Sequence, residues 1–101
     1  MIRVILWRTP TARTGFCVSG HAGYAPAGQD IVCAAVSACV RLTEGILSAS
    51  SAQYTAEVDR ERNAVVLYTD NQTVLDGFSR LMRELSEEYP EYISVTEVRY
   101  A

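Results

Sequence analysis

Residues 19–37 contain the side chains of this sequence that are best suited to chemistry. His21 is the single histidine of the chain, and the cysteine Cys33 follows it twelve residues later. A cysteine nucleophile needs a thiolate and a nearby group to take its proton, and imidazole often fills the second role. The loop between the two residues can fold His21 back over Cys33. The pair therefore predicts nucleophilic catalysis by a thiol.

Asp30 stands before an apolar run and is suited to cap a helix that begins at Ile31. Cys33 is then the third helical residue, where unpaired backbone N–H groups and the helix dipole favour an anion. We expect the N–H groups of this turn, including that of Cys33, to be donors to an oxyanion. Asp30 has a second interpretation, as a carboxylate that orients His21, although its charge would oppose a thiolate at Cys33. Ser37, one turn after Cys33, can contact the thiol or the substrate, or simply pack.

Other interpretations of the same residues stay open. Cys33 and His21 can both be packing residues of a non-catalytic interaction module, or Cys33 can be a redox-sensing thiol. A metal site of Cys17, His21 and Cys33 is conceivable, but the spacing matches no common zinc module. Cys39 lies six residues after Cys33 on the same helix and too far away for a disulfide. In a reducing compartment we expect these thiols to be free.

The segment from Gly20 to Gln29 has three glycines and one proline in ten residues, and no apolar period. This composition is typical of a loop. Gly20 and Gly28 bracket the loop as hinges, with Gly23 between them, and Tyr24 is placed to line a substrate groove.

The segments on either side must hold these residues in place. Ile2 to Trp7 and Arg13 to Ser19, separated by a break at residues 9–12, predict a β-hairpin with Cys17 on the face opposite Phe16 and Val18. A helix is expected from Ile31 to about Ser50, with Gly45 as a weak point. Because this helix is apolar nearly all round, we expect it to be buried on more than one side, by the sheet, the second helix or a partner subunit.

The second half of the chain repeats the hairpin and helix pattern without repeating the sequence. The predicted elements are strands at 53–59 and 63–69, a helix from Thr73 to about Tyr89 with one apolar stripe, and a strand from Tyr92 to Val98. The order β-β-α-β-β-α-β predicts one α+β domain over residues 1–101, in two layers, with a mostly antiparallel sheet packed against two helices. The apolar first helix also favours a homodimer.

Composition limits the classes of function. The chain has 101 residues, a net charge of −3 and 49% hydrophobic residues, which suits one ordinary globular domain. Its basic residues are all arginines and are scattered, so direct nucleic-acid binding is disfavoured. We expect no membrane span, no secretory signal and a cytoplasmic location in which thiols stay reduced.

Two motifs resemble a known family. Gly20-His21-Ala22, then Asp30-Ile31-Val32-Cys33-Ala34 continuing to Ser37, are preceded by a hairpin and followed by β-β-α-β. Together they resemble the bacterial ribosomal-processing cysteine protease family, Prp, over the whole chain in length and element order.

The resemblance implies an endopeptidase that removes a short N-terminal extension from the precursor of a large-subunit ribosomal protein. It implies Cys33 as the nucleophile and His21 as its base, while Asp30 and Ser37 match further motif positions. It also implies a cytoplasmic α+β homodimer without a metal or organic cofactor, whose loop between histidine and cysteine is mobile and orders around the substrate.

Overall fold

Seven elements follow one another in the order that the hydrophobic pattern predicts. A computed structural model describes residues 1–9 and 14–99, so the expected break at residues 10–12 and the expected strand residue Arg13 lie outside the described residues. The elements are β1 (Ile2–Arg8), β2 (Thr14–Ser19), α1 (Ile31–Ala49), β3 (Tyr54–Asp59), β4 (Ala64–Thr69), α2 (Gln72–Glu88) and β5 (Ile93–Arg99).

The strands form one five-stranded sheet in the order β3-β4-β2-β1-β5. The β1–β2, β2–β4 and β3–β4 pairs are antiparallel, and both predicted hairpins are present. The last strand, β5, joins β1 in parallel. A parallel partner requires a crossover, which α2 provides on the way from β4 to the far edge of the sheet. The predicted α+β class with a mostly antiparallel sheet is confirmed.

The core lies between one face of the sheet and the two helices. Strand alternation turns Val4, Phe16 and Leu67 to this face, and all three are almost completely buried. The Phe16 ring stacks on that of Phe78 in α2, with ring centroids 3.9 Å apart. The helices add Val32, Val36, Leu47, Leu75, Phe78 and Met82 to the same cluster. This packing fixes the end of β2 next to the start of α1.

The apolar stripe of α2 is confirmed, with Leu75, Phe78 and Met82 buried. Leu81 of the same helix is 39% exposed. It borders a groove between α2 and α1, lined also by Leu42 and Ile46.

The helix α1 begins and ends where the sequence predicts and runs without interruption through Gly45. In the single chain α1 is buried on one side only, and the expected cover of a second side by a partner subunit stays a prediction. Only Val32, Val36, Thr43 and Leu47 are buried, because the sheet and α2 cover one side of the helix. On the other side, Ile31, Leu42 and Ile46 are 55%, 65% and 45% exposed.

By length and composition alone, α1 could cross a membrane, with 19 residues and a mean hydropathy of 1.6. The expectation of no membrane span overlooked that this helix has the length of one. A single helix of this kind is weak support for a membrane protein, because the core helix of a soluble protein has the same length and composition. In this fold α1 packs Val32, Val36 and Leu47 into the core.

A cluster of charged side chains ties β1 and β5 to α2, away from the first residues of α1. The Glu97 carboxylate accepts from Arg8 Nε at 3.0 Å, from Arg99 at 3.2 Å and from Arg83. Arg8 also pairs with Asp76 at 2.6 Å. Glu97 is the half-buried centre of the cluster, because its carboxylate pairs with three guanidinium groups, one of which also has Asp76.

Candidate active site

The end of β2 and the first turn of α1 bring the two predicted catalytic residues to one place. His21 lies two residues beyond β2, and Cys33 is the third residue of α1. The backbone N–H of Ala22, the residue after His21, donates to Cys33 Sγ at 3.3 Å. Ala22 is buried in the core cluster, which holds this donor in place.

Two cavities meet at these residues. One, of about 600 Å³, lies between the loop and the start of α1, and the other, of about 630 Å³, lies toward the sheet and the β3–β4 turn. His21, Cys33 and Ser37 line both. The thiol, the imidazole and the hydroxyl therefore stand at the junction of the cavities, with space on either side of Cys33 for a peptide.

Asp30 acts on backbone amides. Its Oδ1 accepts from the N–H of Cys33 at 2.9 Å, and its Oδ2 accepts from the N–H groups of Tyr24 at 3.1 Å and Ala25 at 3.5 Å. The bond from Cys33 is the main cause that holds the pKa of Asp30 below its ordinary value. The helix-cap interpretation is confirmed. Both carboxylate oxygens are used on the loop and the helix, and the ring contact of His21 is with Asn63 instead.

The cap has a consequence for the expected oxyanion donors. The N–H of Cys33 already donates to Asp30 at 2.9 Å, so it is not free to bind an oxyanion in this arrangement. The inclusion of Cys33 among the donors is therefore wrong here. The donor nearest the sulfur is the N–H of Ala22.

The loop residues do not all face the cavities. Gly23 and Gly28 line the first cavity and Gly20 lines the second. Tyr24 is turned toward α2 and β5, where its ring packs edge-on against Tyr92 and Tyr89, with centroids 5.2 and 5.9 Å away. The expected groove-lining role of Tyr24 is replaced by an anchoring contact that holds the loop against the body of the domain.

Asn63 is a contact of His21 that the sequence interpretation missed. Its side-chain Nδ2 donates to the Gly20 carbonyl at 2.7 Å and lies 3.4 Å from His21 Nδ1. The sequence pattern assigns Asn63 to a strand, but it lies in the β3–β4 turn at φ 49°. Asparagine is one of the residues that adopt this left-handed conformation, so the turn was visible in the sequence. Its contact with a residue 43 positions earlier was not.

Cys17 and Cys39 lie away from the site. Cys17 is on the opposite face of the sheet from Val18, where it lines a groove with Glu57 and Val66. Burial raises the pKa of both the Cys17 and Cys39 thiols. Within residues 1–9 and 14–99, no three His, Cys, Asp or Glu side chains cluster as metal ligands. The conceivable site of Cys17, His21 and Cys33 is not formed.

Comparison with protein families gives one match that spans most of the chain. The family model described as cysteine protease Prp matches residues 1–94. Among curated proteins, none matches the sequence.

Solved structures share the fold. The ribosomal processing protease Prp from S. aureus, in complex with a covalently linked product peptide, superposes with a TM-score of 0.87 at 23% identity, over 97% of this chain and 100% of that one. The same S. aureus protease in complex with a substrate peptide superposes with a TM-score of 0.82 at 21% identity, again over 97% of this chain and 100% of that one. SMU.848 from Streptococcus mutans superposes with a TM-score of 0.78 at 22% identity, over 99% of this chain and 96% of that one. At these identities, the similarity establishes a common fold.

Proposed function

The chain belongs to the cysteine protease Prp family, and from this we propose that it removes the N-terminal extension of a large-subunit ribosomal protein precursor, with Cys33 as nucleophile and His21 as general base. The observation that carries the proposal is the shared position of Cys33 and His21 at the junction of two cavities. A nucleophile and a proton acceptor at one open site are what acyl transfer through a thiol requires.

The proposed reaction is a double displacement at the scissile carbonyl. His21 takes the proton of Cys33, and the sulfur attacks the carbonyl carbon to give a tetrahedral oxyanion. Collapse breaks the C–N bond, and the protonated His21 gives its proton to the leaving amine. His21 then takes a proton from water, whose oxygen attacks the thioester. Release of the acid product restores the thiol and neutral imidazole.

The oxyanion in this scheme is stabilised by the Ala22 amide. This N–H lies 3.3 Å from the sulfur that attacks, so it can pass from Sγ to the oxyanion that forms beside it. The carboxylate of Asp30 supports the site indirectly, because it bonds to the amides of Cys33 and Tyr24 and joins the loop to the helix. Ser37 lines both cavities and is proposed to contact the peptide.

The substrate class rests on the family and on the shape of the site. The S. aureus protease binds a substrate peptide in a structure of the same fold. The two cavities on either side of Cys33 here offer space for residues before and after a scissile bond. We place the reaction in the cytoplasm, where ribosomal proteins are synthesised, with no cofactor beyond the side chains named.

The test is incubation of the purified protein with the ribosomal precursor, followed by mass measurement of the products. We expect one discrete cut by the wild type and none by Cys33→Ala or His21→Ala. The matched control is Cys39→Ala, which removes a half-buried thiol of the same helix outside the site and is expected to keep the cut. Cleavage by Cys33→Ala at the wild-type rate would contradict the proposal.

Alkylation distinguishes a reactive thiol from half-buried, unreactive thiols and needs no substrate. Because burial raises the pKa of Cys17 and Cys39, little of either is thiolate near neutral pH. We expect iodoacetamide to modify Cys33 first, as read by peptide mass mapping. Equal rates at the three cysteines would oppose Cys33 as an activated nucleophile.

We also propose that the active form is a homodimer joined through the exposed side of α1. Ile31, Leu42 and Ile46 recur at spacings that place them on one helix face, and Leu81 of α2 adjoins them. A partner that covers this face would remove its apolar surface from water. Sedimentation equilibrium is expected to give a dimer for the wild type and a monomer for Leu42→Asp. A wild-type monomer would rule the proposal out.

A further inference from the structure

We propose that Asn63 is a positioning residue for His21, which holds the end of β2 at the site and fixes the neutral imidazole in the tautomer with its proton on Nε2. The inference rests on the proposed role of His21 as the base. It concerns a residue of the β3–β4 turn, an element that the proposed mechanism does not otherwise use.

Asn63 contacts the segment before Cys33 at three points. Its backbone carbonyl accepts from the Gly20 N–H at 3.2 Å, and its side-chain Nδ2 donates to the Gly20 carbonyl at 2.7 Å. The same Nδ2 lies 3.4 Å from His21 Nδ1. Both peptide groups of Gly20 are therefore bonded to one residue, and this fixes where His21 leaves the sheet.

The orientation of the Asn63 amide follows from these partners. A carbonyl oxygen only accepts, so the group 2.7 Å from the Gly20 oxygen must be the amide NH₂ and cannot be Oδ1. An NH₂ group has two hydrogens. One is bonded to the Gly20 oxygen, and the second is available to His21 Nδ1.

The tautomer follows from this donor. Nδ1 can accept the second hydrogen of Asn63 only if it carries no proton, so the neutral ring keeps its proton on Nε2. When His21 takes the proton of Cys33, that proton occupies the Nδ1 lone pair and the Asn63 hydrogen is displaced. At 3.4 Å the contact is a weak hydrogen bond, so its displacement by the incoming proton costs little.

The charged groups around this cavity do not offer His21 an equivalent anchor. Arg41 of α1 and Asp59 and Arg60 of the β3–β4 hairpin line the same cavity. Their side chains are exposed, and those of long arginines are free to move. Asn63 is exposed as well, but it differs from them because both its backbone carbonyl and its side-chain Nδ2 are bonded to Gly20.

Two variants separate the side chain from the turn. Asn63→Gly keeps the backbone bonds and suits φ 49°, but it removes Nδ2. Asn63→Asp keeps the size but places an acceptor opposite Nδ1 and loses the donor to Gly20. Glu61→Ala, an exposed residue of the same turn, is the matched control. Thermal melts followed by circular dichroism show whether each variant is folded.

The first measurement is a nitrogen NMR spectrum of protein labelled with ¹⁵N-histidine, in which His21 gives the only imidazole signals. We expect an unprotonated Nδ1 and a protonated Nε2 in the wild type and in Glu61→Ala. Asn63→Asp is expected to give the other tautomer, with a protonated Nδ1 and an unprotonated Nε2. Asn63→Gly is expected to give a mixture of the two tautomers. A protonated Nδ1 in the wild type, or one tautomer in all four proteins, would overturn the inference.

The second measurement is cleavage of the precursor peptide. We expect kcat of Asn63→Gly to fall about 10-fold, because small displacements of a catalytic group are costly, with KM nearly unchanged. Wild-type kcat in both Asn63 variants would refute positioning by this residue. His21→Ala is assayed in parallel. If that variant stays active, the base role of His21 fails, whereas the NMR result stands or falls independently of activity.

Discussion

Gly20→Ala is expected to damage both the stability and the activity of the protein. Gly20 has φ +89°, and a Cβ placed on it would lie 2.4 Å from the Met1 carbonyl oxygen. That oxygen cannot move freely, because its own peptide group is bonded through the Ile2 N–H to the Tyr92 carbonyl at 2.8 Å. Gly20 is itself bonded to Asn63 on the other side. The added methyl group must therefore push apart two segments that are both fixed.

The magnitude has two parts. A positive φ in a residue other than glycine costs about 1–2 kcal/mol. Relief of the contact requires a movement of about 1 Å, and overpacking of this kind costs about 1–3 kcal/mol. The expected loss in the free energy of unfolding is about 2–5 kcal/mol. The same movement displaces His21 relative to Cys33, and a 1 Å error in a catalytic geometry can lower kcat/KM by about 100-fold.

Gly28→Ala is the matched control for stability. Gly28 has φ +84°, but no atom lies within 4 Å of its ideal Cβ position. This variant therefore shows the backbone cost alone. Urea unfolding measures both free energies, and cleavage of the precursor peptide by Gly20→Ala and the wild type gives kcat/KM. Equal destabilisation by the two substitutions, with wild-type kcat/KM in Gly20→Ala, would refute the role assigned to the contact with Met1.

Three further predictions concern other parts of the fold. Asp30→Asn is expected to keep the helix cap but to expose the Tyr24 amide to faster hydrogen exchange, because its NH₂ group cannot accept that bond. Since the folded-state pKa of Asp30 is lowered, its stabilisation is present above its ordinary pKa of about 4 and is lost at lower pH. The stability difference from Asp30→Asn in urea unfolding should therefore shrink in acid, and a difference independent of pH would contradict this. Glu97→Gln is expected to lower the free energy of unfolding by about 1–2 kcal/mol, more at low salt, because Arg83 and Arg99 lose their carboxylate partner while Arg8 keeps Asp76; an equal cost at low and high salt would oppose this. Phe16→Ala is expected to lower the free energy of unfolding by about 3–5 kcal/mol, since its buried ring stacks on Phe78. A loss below about 1 kcal/mol in urea unfolding would mean that neighbouring side chains fill the space left by the ring.

Much of the fold can be predicted from local patterns of apolar and polar residues in the sequence. Strand alternation, the helical stripe of α2 and the capped apolar run of α1 predict all seven elements, because each pattern depends on residues a few positions apart. The parallel pairing of β5 with β1 was not predictable in this way. Periodicity identifies which face of a strand is buried, but the choice of neighbour depends on how the whole sheet is covered.

The exposure of α1 is a second feature that the sequence pattern does not determine. Its composition predicts burial on more than one side, and one apolar side, with Leu42 at 65% exposure, is open in the single chain. Composition records that a surface is apolar. It does not record whether the same chain or another molecule covers it.

At the site, the contacts between residues close together in the sequence could be predicted from the sequence. The cap of Asp30 on Cys33 spans three positions, and any chain that forms this helix start will form that bond. The approach of Ala22 to the sulfur and of Asn63 to Gly20 and His21 was decided only by the tertiary structure. These contacts depend on where β2 and the β3–β4 turn lie relative to α1, which is set by packing around Phe16 and Leu67 and not by any local motif.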